Sequence, residues 1–247
     1  MPFKKYKKDS EYSYALGITL TFELLKFKPE DVLRVYVHSK INKNENFNKL
    51  LELCKNTNTE VIYSDKPFNV LSEKENTFVI GVFKKFDSEL ERNKSHIVLV
   101  NPSNAGNIGT IMRSALGFGI NNMAIIRPAV DIFEPKAVRA SMGALFSMNI
   151  RYFESFDEYL NTYKTCKIDD KDIDRELYPF MLKAKISAYE LKPEGTFSLI
   201  FGNEATGLPD EFLEIGTPVI IPISNKIDSL NLPIAASIAL YQAGKNV

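Results

Sequence analysis

The stretch NPSNAGNIGTIMRSALGFG, at residues 101–119, decides the interpretation of this 247-residue chain. It follows the apolar run His96–Val100, which predicts a buried strand, and it continues into a helical pattern over residues 108–116. Ligands of α/β folds bind in the loops at strand ends. The stretch therefore predicts a ligand-binding loop in an α/β fold.

Two further polar stretches share this design, GNEATGLPDEF at residues 202–212 and VIIPISNKIDSLNLPIA at residues 219–235. The first of them follows the apolar run 196–201, and the second contains its own short apolar run at 219–221. Both lie about a hundred residues after the stretch at 101–119. The functional site is therefore expected to be assembled from distant segments.

Composition narrows the class of protein. Hydrophobic residues make up 45% of the chain and charged residues 25%, which is enough apolar material for folded cores. Lys plus Arg equals Asp plus Glu at 31 each, so no global charge indicates a nucleic-acid partner. The two cysteines, Cys54 and Cys166, and the two histidines, His38 and His96, stand far apart. This pattern predicts a cytoplasmic protein without a disulfide framework and without a bound metal. No signal peptide and no membrane span are expected.

The order of elements predicts two domains. Residues 1–90 alternate helix and strand, which is typical of a small α/β domain, and the polar stretch 84–94 is the expected linker. A second domain is predicted over residues 95–247. Further predictions concern helices at 14–27, 46–55, 135–142, 156–163 and 230–243, strands at 32–38, 60–64, 78–83, 123–126 and 218–221, and a surface loop at 164–176.

Nucleotide-binding motifs do not explain the glycines. A dinucleotide fingerprint needs G-x-G-x-x-G, but only Gly106 and Gly109 have the spacing, and no acid follows the next strand. Gly202 and Gly207 have the spacing of a phosphate-binding P-loop, but the lysine and hydroxyl of that motif are missing. A Gly-x-Ser-x-Gly nucleophile elbow is absent.

The three stretches together resemble the three motifs of the SpoU branch of the SPOUT RNA methyltransferases. The resemblance covers residues 95–247, and the motifs agree in order and separation. The matching residues of the first motif are Asn104, Gly106, Asn107, Gly109, Arg113, Ala115, Phe118 and Gly119. Those of the second are Gly202, Asn203, Glu204, Gly207 and Leu208, and those of the third are Ile221, Pro222, Ser229, Leu230, Asn231 and Ala235.

The resemblance implies an α/β fold with a parallel sheet flanked by helices and a deep C-terminal trefoil knot. It also implies S-adenosylmethionine as methyl donor, a homodimer formed through the C-terminal domain, and a 2′-O-methylated ribose as product. Residues 1–90 resemble, more loosely, the L30e-like RNA-binding domain that often precedes this catalytic domain. The expected substrate is RNA, with ribosomal RNA favoured over transfer RNA.

The resemblance also assigns roles at the site. The candidate catalytic residues are Arg113, Asn104, Glu204, Ser229 and Asn231. The candidate cofactor-binding residues are Phe201, Gly202, Asn203, Gly207, Ile221, Ile223, Leu230 and Ser141. A guanidinium stays protonated at neutral pH, so Arg113 is expected to grip a phosphate and stabilise the developing alkoxide rather than act as a plain base. The alternative for Arg113 is a salt bridge on the helix surface.

Several of these roles have structural alternatives. Asn104 either orients the ribose or braces its loop, and Glu204 either braces the cofactor loop or contacts RNA. Ser229 either caps the last helix or contacts substrate, and Asn231 is expected to bridge motifs. Many family members have Val-Ser where this chain has Leu232 and Pro233, so the hydrogen bond of the usual serine is lost while the helix is expected to persist.

A non-catalytic RNA-binding or ribosome-assembly factor that kept the fold is the rival hypothesis. Retention of a cofactor loop together with the Arg113 position favours the enzyme. In either case a basic surface is expected to bind the RNA. We predict that residues 1–90 supply most of this affinity, through Lys4, Lys5, Lys7, Lys8, Lys26, Lys28 and Lys40.

Overall fold

The computed structural model of the protein describes residues 4–71, 77–168 and 171–244. The strands are β1 (Tyr12–Leu16), β2 (Val32–Val37), β3 (Val61–Tyr63), β4 (Val79–Lys84), β5 (His96–Val100), β6 (Asn122–Ile126), β7 (Asn149–Phe153), β8 (Thr165–Ile168), β9 (Lys171–Asp174), β10 (Glu176–Pro179), β11 (Ile186–Ser187), β12 (Phe197–Phe201) and β13 (Val219–Ile220). The α-helices are α1 (Ile18–Phe27), α2 (Glu45–Asn56), α3 (Lys66–Leu71), α4 (Ala105–Gly117), α5 (Pro135–Ala140), α6 (Ala144–Ser147), α7 (Phe156–Tyr163) and α8 (Leu232–Ala243).

The first of two compact units consists of residues 1–86 and 131–147. Its sheet has the order β1-β4-β2-β3, in which β4 is antiparallel to β1 and β2, and β3 is parallel to β2. Helix α2 is amphipathic, and its apolar side chains Phe47, Leu50 and Cys54 pack with Val35 in the core. Of the two cysteines, Cys54 is therefore buried in this core, whereas the side chain of Cys166 lies outside the described residues.

Residues 131–147 join the first unit through contacts with its N-terminal segment and its sheet. The Ser13 hydroxyl donates to the carbonyl of Phe133, and Lys85 Nζ lies 2.8 Å from the Asp131 carboxylate. Lys85 also donates to the carbonyl of Lys8, which connects the lysine-rich N-terminal segment to the end of β4. The division into domains at 1–90 and 95–247 stays a prediction. The compact units differ from this division at residues 131–147, which belong to the first unit and not to the second.

The second unit consists of residues 87–130 and 148–247. Its five-stranded sheet has the order β10-β12-β5-β6-β7 and is parallel throughout. Every residue of β5, β6 and β12 is buried, as expected for a parallel sheet covered by helices on both faces. The predicted α/β fold with a parallel sheet flanked by helices is thereby confirmed, whereas the trefoil knot and the L30e-like character of residues 1–90 stay predictions.

Two of the predicted elements are wrong. Residues 14–16, predicted as the start of a helix, belong to strand β1, because Gly17, at φ 112°, lets the chain pass from β1 into α1 within one residue. The predicted loop 164–176 contains the antiparallel strand pair β8 and β9. In a polar two-stranded ribbon the backbone groups pair with each other. The strands therefore form without the alternation of apolar residues by which a sequence predicts a strand.

Candidate active site

A cavity of about 330 Å³ opens where β12 ends, between the second and third polar stretches. The residues predicted to bind cofactor that line it are Phe201, Gly202, Asn203, Gly207, Ile221, Ile223 and Leu230. The candidate catalytic residues Glu204 and Ser229 line it as well. The structure thus brings together segments that are about thirty residues apart in sequence. Because β5, β6, β7 and β12 are parallel neighbours, their C-terminal ends lie along one side of the sheet, which we call the carboxyl edge.

Glycines shape the loop that forms one wall of the cavity. The Gly207 amide donates to the Asn203 carbonyl at 2.9 Å, and Gly207 has φ 70°. A Cβ atom on Gly202 would lie 2.1 Å from the carbonyl carbon of Gly207. Only glycine fits at position 202, and the loop therefore presents bare backbone at the mouth of β12.

The side chain of Asn203 stabilises this loop and connects it to the first polar stretch. Its Oδ1 accepts from the amide of Ala205 at 2.8 Å. Its Nδ2 donates to the carbonyl of Asn101 at 2.8 Å. The loop after β12 is therefore fixed to the loop after the neighbouring strand β5.

Glu204 makes a second and stronger connection between the same loops. One carboxylate oxygen accepts from the amide and hydroxyl of Ser103, at 3.1 and 2.8 Å. The other accepts from the amide of Asn104 at 3.1 Å and from the side chain of Asn107 at 3.2 Å. Partial burial raises the pKa of Glu204, but the hydrogen bonds from Ser103 and Asn107 outweigh burial, and the pKa lies below its ordinary value. Glu204 is held as a carboxylate that braces the start of α4.

Asn104 caps α4. Its Oδ1 accepts from the amides of Gly106 at 2.9 Å and Asn107 at 3.2 Å, as expected of an N-cap asparagine. Among the described residues the side-chain nitrogen of Asn104 has no hydrogen-bond partner, so it is available to a ligand. The bracing role left open by the sequence is thus observed in the Asn104 oxygen, and the nitrogen leaves room for the ribose role.

Arg113 projects from the third turn of α4 into solvent. Its guanidinium forms no hydrogen bond or ion pair with any residue that the structure describes. The alternative of a surface salt bridge therefore has no acidic partner within the described ranges. Next to it, Ser114 accepts a hydrogen bond from Ser237 of α8 at 2.9 Å, which fixes the helix that carries Arg113.

The start of α8 differs from what the sequence suggests. The helix begins after Asn231, whose side chain makes no capping hydrogen bond, and Ser229 lies outside the helix and exposed. Pro233 occupies the first turn, where its missing amide hydrogen has no helical acceptor. Within the described residues, the side chains of Ser229 and Asn231 make no hydrogen bonds. The helix-capping role of Ser229 and the bridging role of Asn231 are therefore not observed.

Ser141 is not among the residues that line the cavity. It belongs to the first unit, where it is fully buried. Its hydroxyl donates to the Val138 carbonyl at 2.8 Å and accepts from the Gly143 amide at 3.3 Å. These bonds explain Ser141 as part of the turn between α5 and α6.

Sequence reasoning missed several residues of the site. Ser103 holds Glu204 through two of its atoms, and nothing in the pattern separates it from its polar neighbours. Phe180 lines the cavity and stacks on Phe201 with the ring centroids 4.7 Å apart. Lys183 pairs with Asp210 at 2.7 Å on the same cavity wall. The segment 180–183 carries no motif, so only the fold shows that it belongs to the site.

The described residues form neither a cluster of metal ligands nor a helix that could span a membrane. Over residues 4–71, 77–168 and 171–244, no group of three or more His, Cys, Asp or Glu side chains is placed to hold a metal ion. None of the helices in these ranges has the length and apolar character needed to cross a membrane.

Comparison with known proteins gives a consistent result. The model of the SpoU rRNA Methylase family matches residues 94–241. The 23S rRNA (uridine(2479)-2′-O)-methyltransferase of Streptomyces viridochromogenes is 28% identical over 148 residues, which span 60% of this chain and 51% of that protein. The tRNA (cytidine-2′-O-)-methyltransferase of Methanocaldococcus jannaschii is 27% identical over 154 residues, which span 59% of this chain and 65% of that protein.

Structural similarity extends over nearly the whole chain. The crystal structure of an AdoMet-bound rRNA methyltransferase from Sinorhizobium meliloti superimposes with a TM-score of 0.79 at 20% identity and covers 96% of this chain and 88% of that one. At this identity the likeness concerns the fold. The chain spans about half of the length, or less, of the first curated relatives that it matches.

Proposed function

This chain belongs to the SpoU rRNA methylase family, and from that premise we propose that it transfers a methyl group from S-adenosylmethionine to a ribose 2′-hydroxyl of RNA. One observation carries the proposal: Glu204 connects the loop of the cavity to the start of α4, the helix that bears Arg113. A ligand-binding loop and a cationic side chain free of acidic partners within the described residues are thereby held in one rigid arrangement.

The residues of the cavity fit the proposed cofactor. A volume of about 330 Å³ falls within the range of small-molecule sites. Ile221, Ile223 and Leu230 give an apolar wall, and the loop at 202–207 offers backbone groups beside it, as an adenosine group requires. When bound, S-adenosylmethionine supplies an electrophilic methyl group.

The protein's part in the reaction is to position the ribose oxygen and to stabilise the charge that develops on it. Arg113 carries the cationic guanidinium, which stabilises the developing alkoxide and grips the adjacent phosphate. The side-chain nitrogen of Asn104 and the hydroxyl of Ser229 are the polar groups that orient the ribose. Glu204 is a positioning residue, since both of its oxygens are occupied by the first stretch. Asn231 stays a candidate catalytic residue without an observed partner.

Ribosomal RNA is the proposed substrate class. The Streptomyces relative is a 23S rRNA methyltransferase, and a second α/β unit suits a large structured RNA. Transfer RNA is the second candidate, because the Methanocaldococcus relative is a tRNA methyltransferase. We further propose a cytoplasmic location, in keeping with the predicted reducing environment of the two cysteines.

We propose that the active form is a homodimer built on α8. Ile234, Ile238 and Tyr241 lie at helical spacing on one side of α8 and are 53%, 38% and 56% exposed. The ring of Phe118, at the end of α4, extends this apolar face, with its centroid 6.1 Å from that of Tyr241. Exposed apolar faces of this kind mark interaction surfaces. Light scattering will show a dimer for the wild type and a monomer for Ile238→Glu, whereas a wild-type monomer contradicts the proposal.

Transfer of radiolabelled methyl from S-adenosylmethionine to total RNA from cells lacking this protein tests the activity. We expect label in one RNA class, resistance of the labelled dinucleotide to alkali, and loss of label with Arg113→Ala. The matched control is Arg151→Ala, which removes an arginine from strand β7. Absence of label from protein that still binds the cofactor, measured by calorimetry, would favour the non-catalytic alternative.

A further inference from the structure

The carboxyl edge of the parallel sheet continues beyond the cofactor cavity. The cavity lies at the end of β12, and β5, β6 and β7 follow it in that order across the sheet. Adjacent strands are about 4.8 Å apart, so the end of β6 lies roughly 10 Å from the end of β12. A polynucleotide whose ribose reaches the cavity must extend over neighbouring parts of the second unit, and this edge is one of them.

A cationic group stands on this part of the edge. Arg127 directly follows β6 and is exposed, and its guanidinium lies over the ring of Tyr152, 4.7 Å from the centroid. Its Nε lies 3.0 Å from the carboxylate of Glu154. Within the described residues, the two terminal nitrogens of Arg127 have no hydrogen-bond partner. The ring and the carboxylate orient the guanidinium, and the side chain that carries it is 41% exposed.

Asn101 fixes Arg127 relative to the cofactor loop. The side chain of Asn101 donates to the Arg127 carbonyl at 2.7 Å, and the Asn101 carbonyl accepts from Asn203 at 2.8 Å. Asn101 adopts φ 53°, a left-handed conformation that asparagine tolerates better than most residues. Three neighbouring strand ends are thereby connected by two hydrogen bonds. The connection runs through the backbone of Arg127, so replacing its side chain leaves these bonds intact.

We propose that Arg127, oriented on Tyr152, binds a backbone phosphate of the substrate RNA close to the methylated nucleotide. The inference rests on the proposed function, because it assigns a subsite to the same RNA. A guanidinium presents paired donors that match phosphate oxygens, and an aromatic face holds it in place. Glu154 is the acidic neighbour that competes with the phosphate for Arg127.

Filter binding of purified ribosomal RNA from cells lacking this protein, across a range of salt concentrations, tests the subsite. Arg127→Ala is expected to weaken binding by about fivefold to tenfold and to lower the slope of log affinity against log salt by about 0.9. The control is Arg151→Ala, since Arg151 also pairs with a glutamate, Glu89, and lies over a ring, that of Phe153, but sits before the end of β7. This control is expected to bind as the wild type does. The affinity for S-adenosylmethionine is expected to stay unchanged in both variants.

A second variant predicts a change of opposite sign. Glu154→Gln removes the competing carboxylate, so RNA binding is expected to tighten about threefold, and this gain is expected to vanish in the Arg127→Ala background. Glu89→Gln is the matched neutralisation, expected to have no effect. If the Arg127–Glu154 pair were only structural, both single variants would weaken binding.

Each remaining outcome is decisive. Wild-type affinity and salt slope in Arg127→Ala overturn the subsite, and so does equal weakening in Arg127→Ala and Arg151→Ala. If binding gives one of these results and the wild type still transfers methyl groups to RNA, the subsite is wrong and the proposed function is retained. If the wild type binds neither ribosomal RNA nor, in the same assay, transfer RNA, the subsite is overturned together with the proposed function.

Discussion

Gly202→Ala is expected to destroy the cofactor site. The added Cβ would lie 2.1 Å from the carbonyl carbon of Gly207, and 2.3 Å from both its oxygen and the amide of Leu208. Ordinary contacts begin at 3.4 Å, and all three atoms belong to the backbone, so the loop must shift by about 1 Å or more.

The magnitude follows from what the shift breaks. Overpacking of this kind costs about 1–3 kcal/mol. Loss of the hydrogen bonds from Gly207 to Asn203 and from Ala205 to Asn203 adds about 1 kcal/mol each. A total of about 3–5 kcal/mol corresponds to a fall in Tm of about 10 °C for a chain of this size. Since the displaced loop lines the cavity, cofactor affinity is expected to fall at least about 100-fold.

Calorimetric titration with S-adenosylmethionine and thermal unfolding measure both effects. Gly117→Ala is the matched control, because an added Cβ there meets no atom within 4 Å. Alanine suits a helix better than glycine, so this control is expected to keep its Tm or raise it slightly. Wild-type cofactor affinity in Gly202→Ala would refute the reasoning.

Three further predictions concern other parts of the chain. Burial and the charge of Arg175 lower the pKa of His96 to about 3, whereas the ordinary value is about 6.5. Between these two values only the unfolded chain takes up a proton at this position, so the free energy of unfolding is expected to fall by about 2 kcal/mol between pH 7 and pH 5. Urea titrations will show a smaller fall in His96→Gln, and an equal fall in the variant contradicts this prediction. Glu204→Gln places an NH₂ group against donors of the first stretch, so cofactor affinity is expected to fall about tenfold by calorimetry, and an unchanged affinity would show that Glu204 does not brace the loop. Neutralising the exposed N-terminal lysines to Gln is expected to lower the salt slope of RNA binding by about 2–3 without changing cofactor affinity, and an unchanged slope would remove this segment from the RNA-binding surface. These lysines are Lys4, Lys5, Lys7 and Lys8.

Elements with one strong signal could be predicted from the sequence. The apolar run at β5 and the amphipathic pattern at α7 gave the observed bounds, His96–Val100 and Phe156–Tyr163. Strand β1 was missed because its apolar residues run directly into those of α1, and only the conformation of Gly17 separates the two. Strand β10 was missed because four residues that end in Pro179 carry too little pattern.

The candidate site shows the same division. The resemblance assigned all eight candidate cofactor residues; seven of them line the cavity, and Ser141 does not. Ile221, Ile223 and Leu230 are also of the apolar type that ligand sites favour, whereas nothing in the residue pattern points to Ser141. Ser103, Asn101 and Arg127 could not be predicted, because their roles come from hydrogen bonds and ring contacts between strand ends that are distant in sequence.

The interleaving of the two compact units has a consequence for synthesis. The chain supplies residues 1–86 to the first unit, leaves it, and returns with residues 131–147. During translation, the hydroxyl of Ser13 in β1 therefore lacks its acceptor, the Phe133 carbonyl, until more than half of the chain has been made. Domains usually fold as they emerge, N-terminal part first. In this chain the N-terminal sheet stays without the packing of residues 131–147 until they have been synthesised. Synonymous codons that slow translation before residue 147 are therefore expected to lower the yield of folded protein.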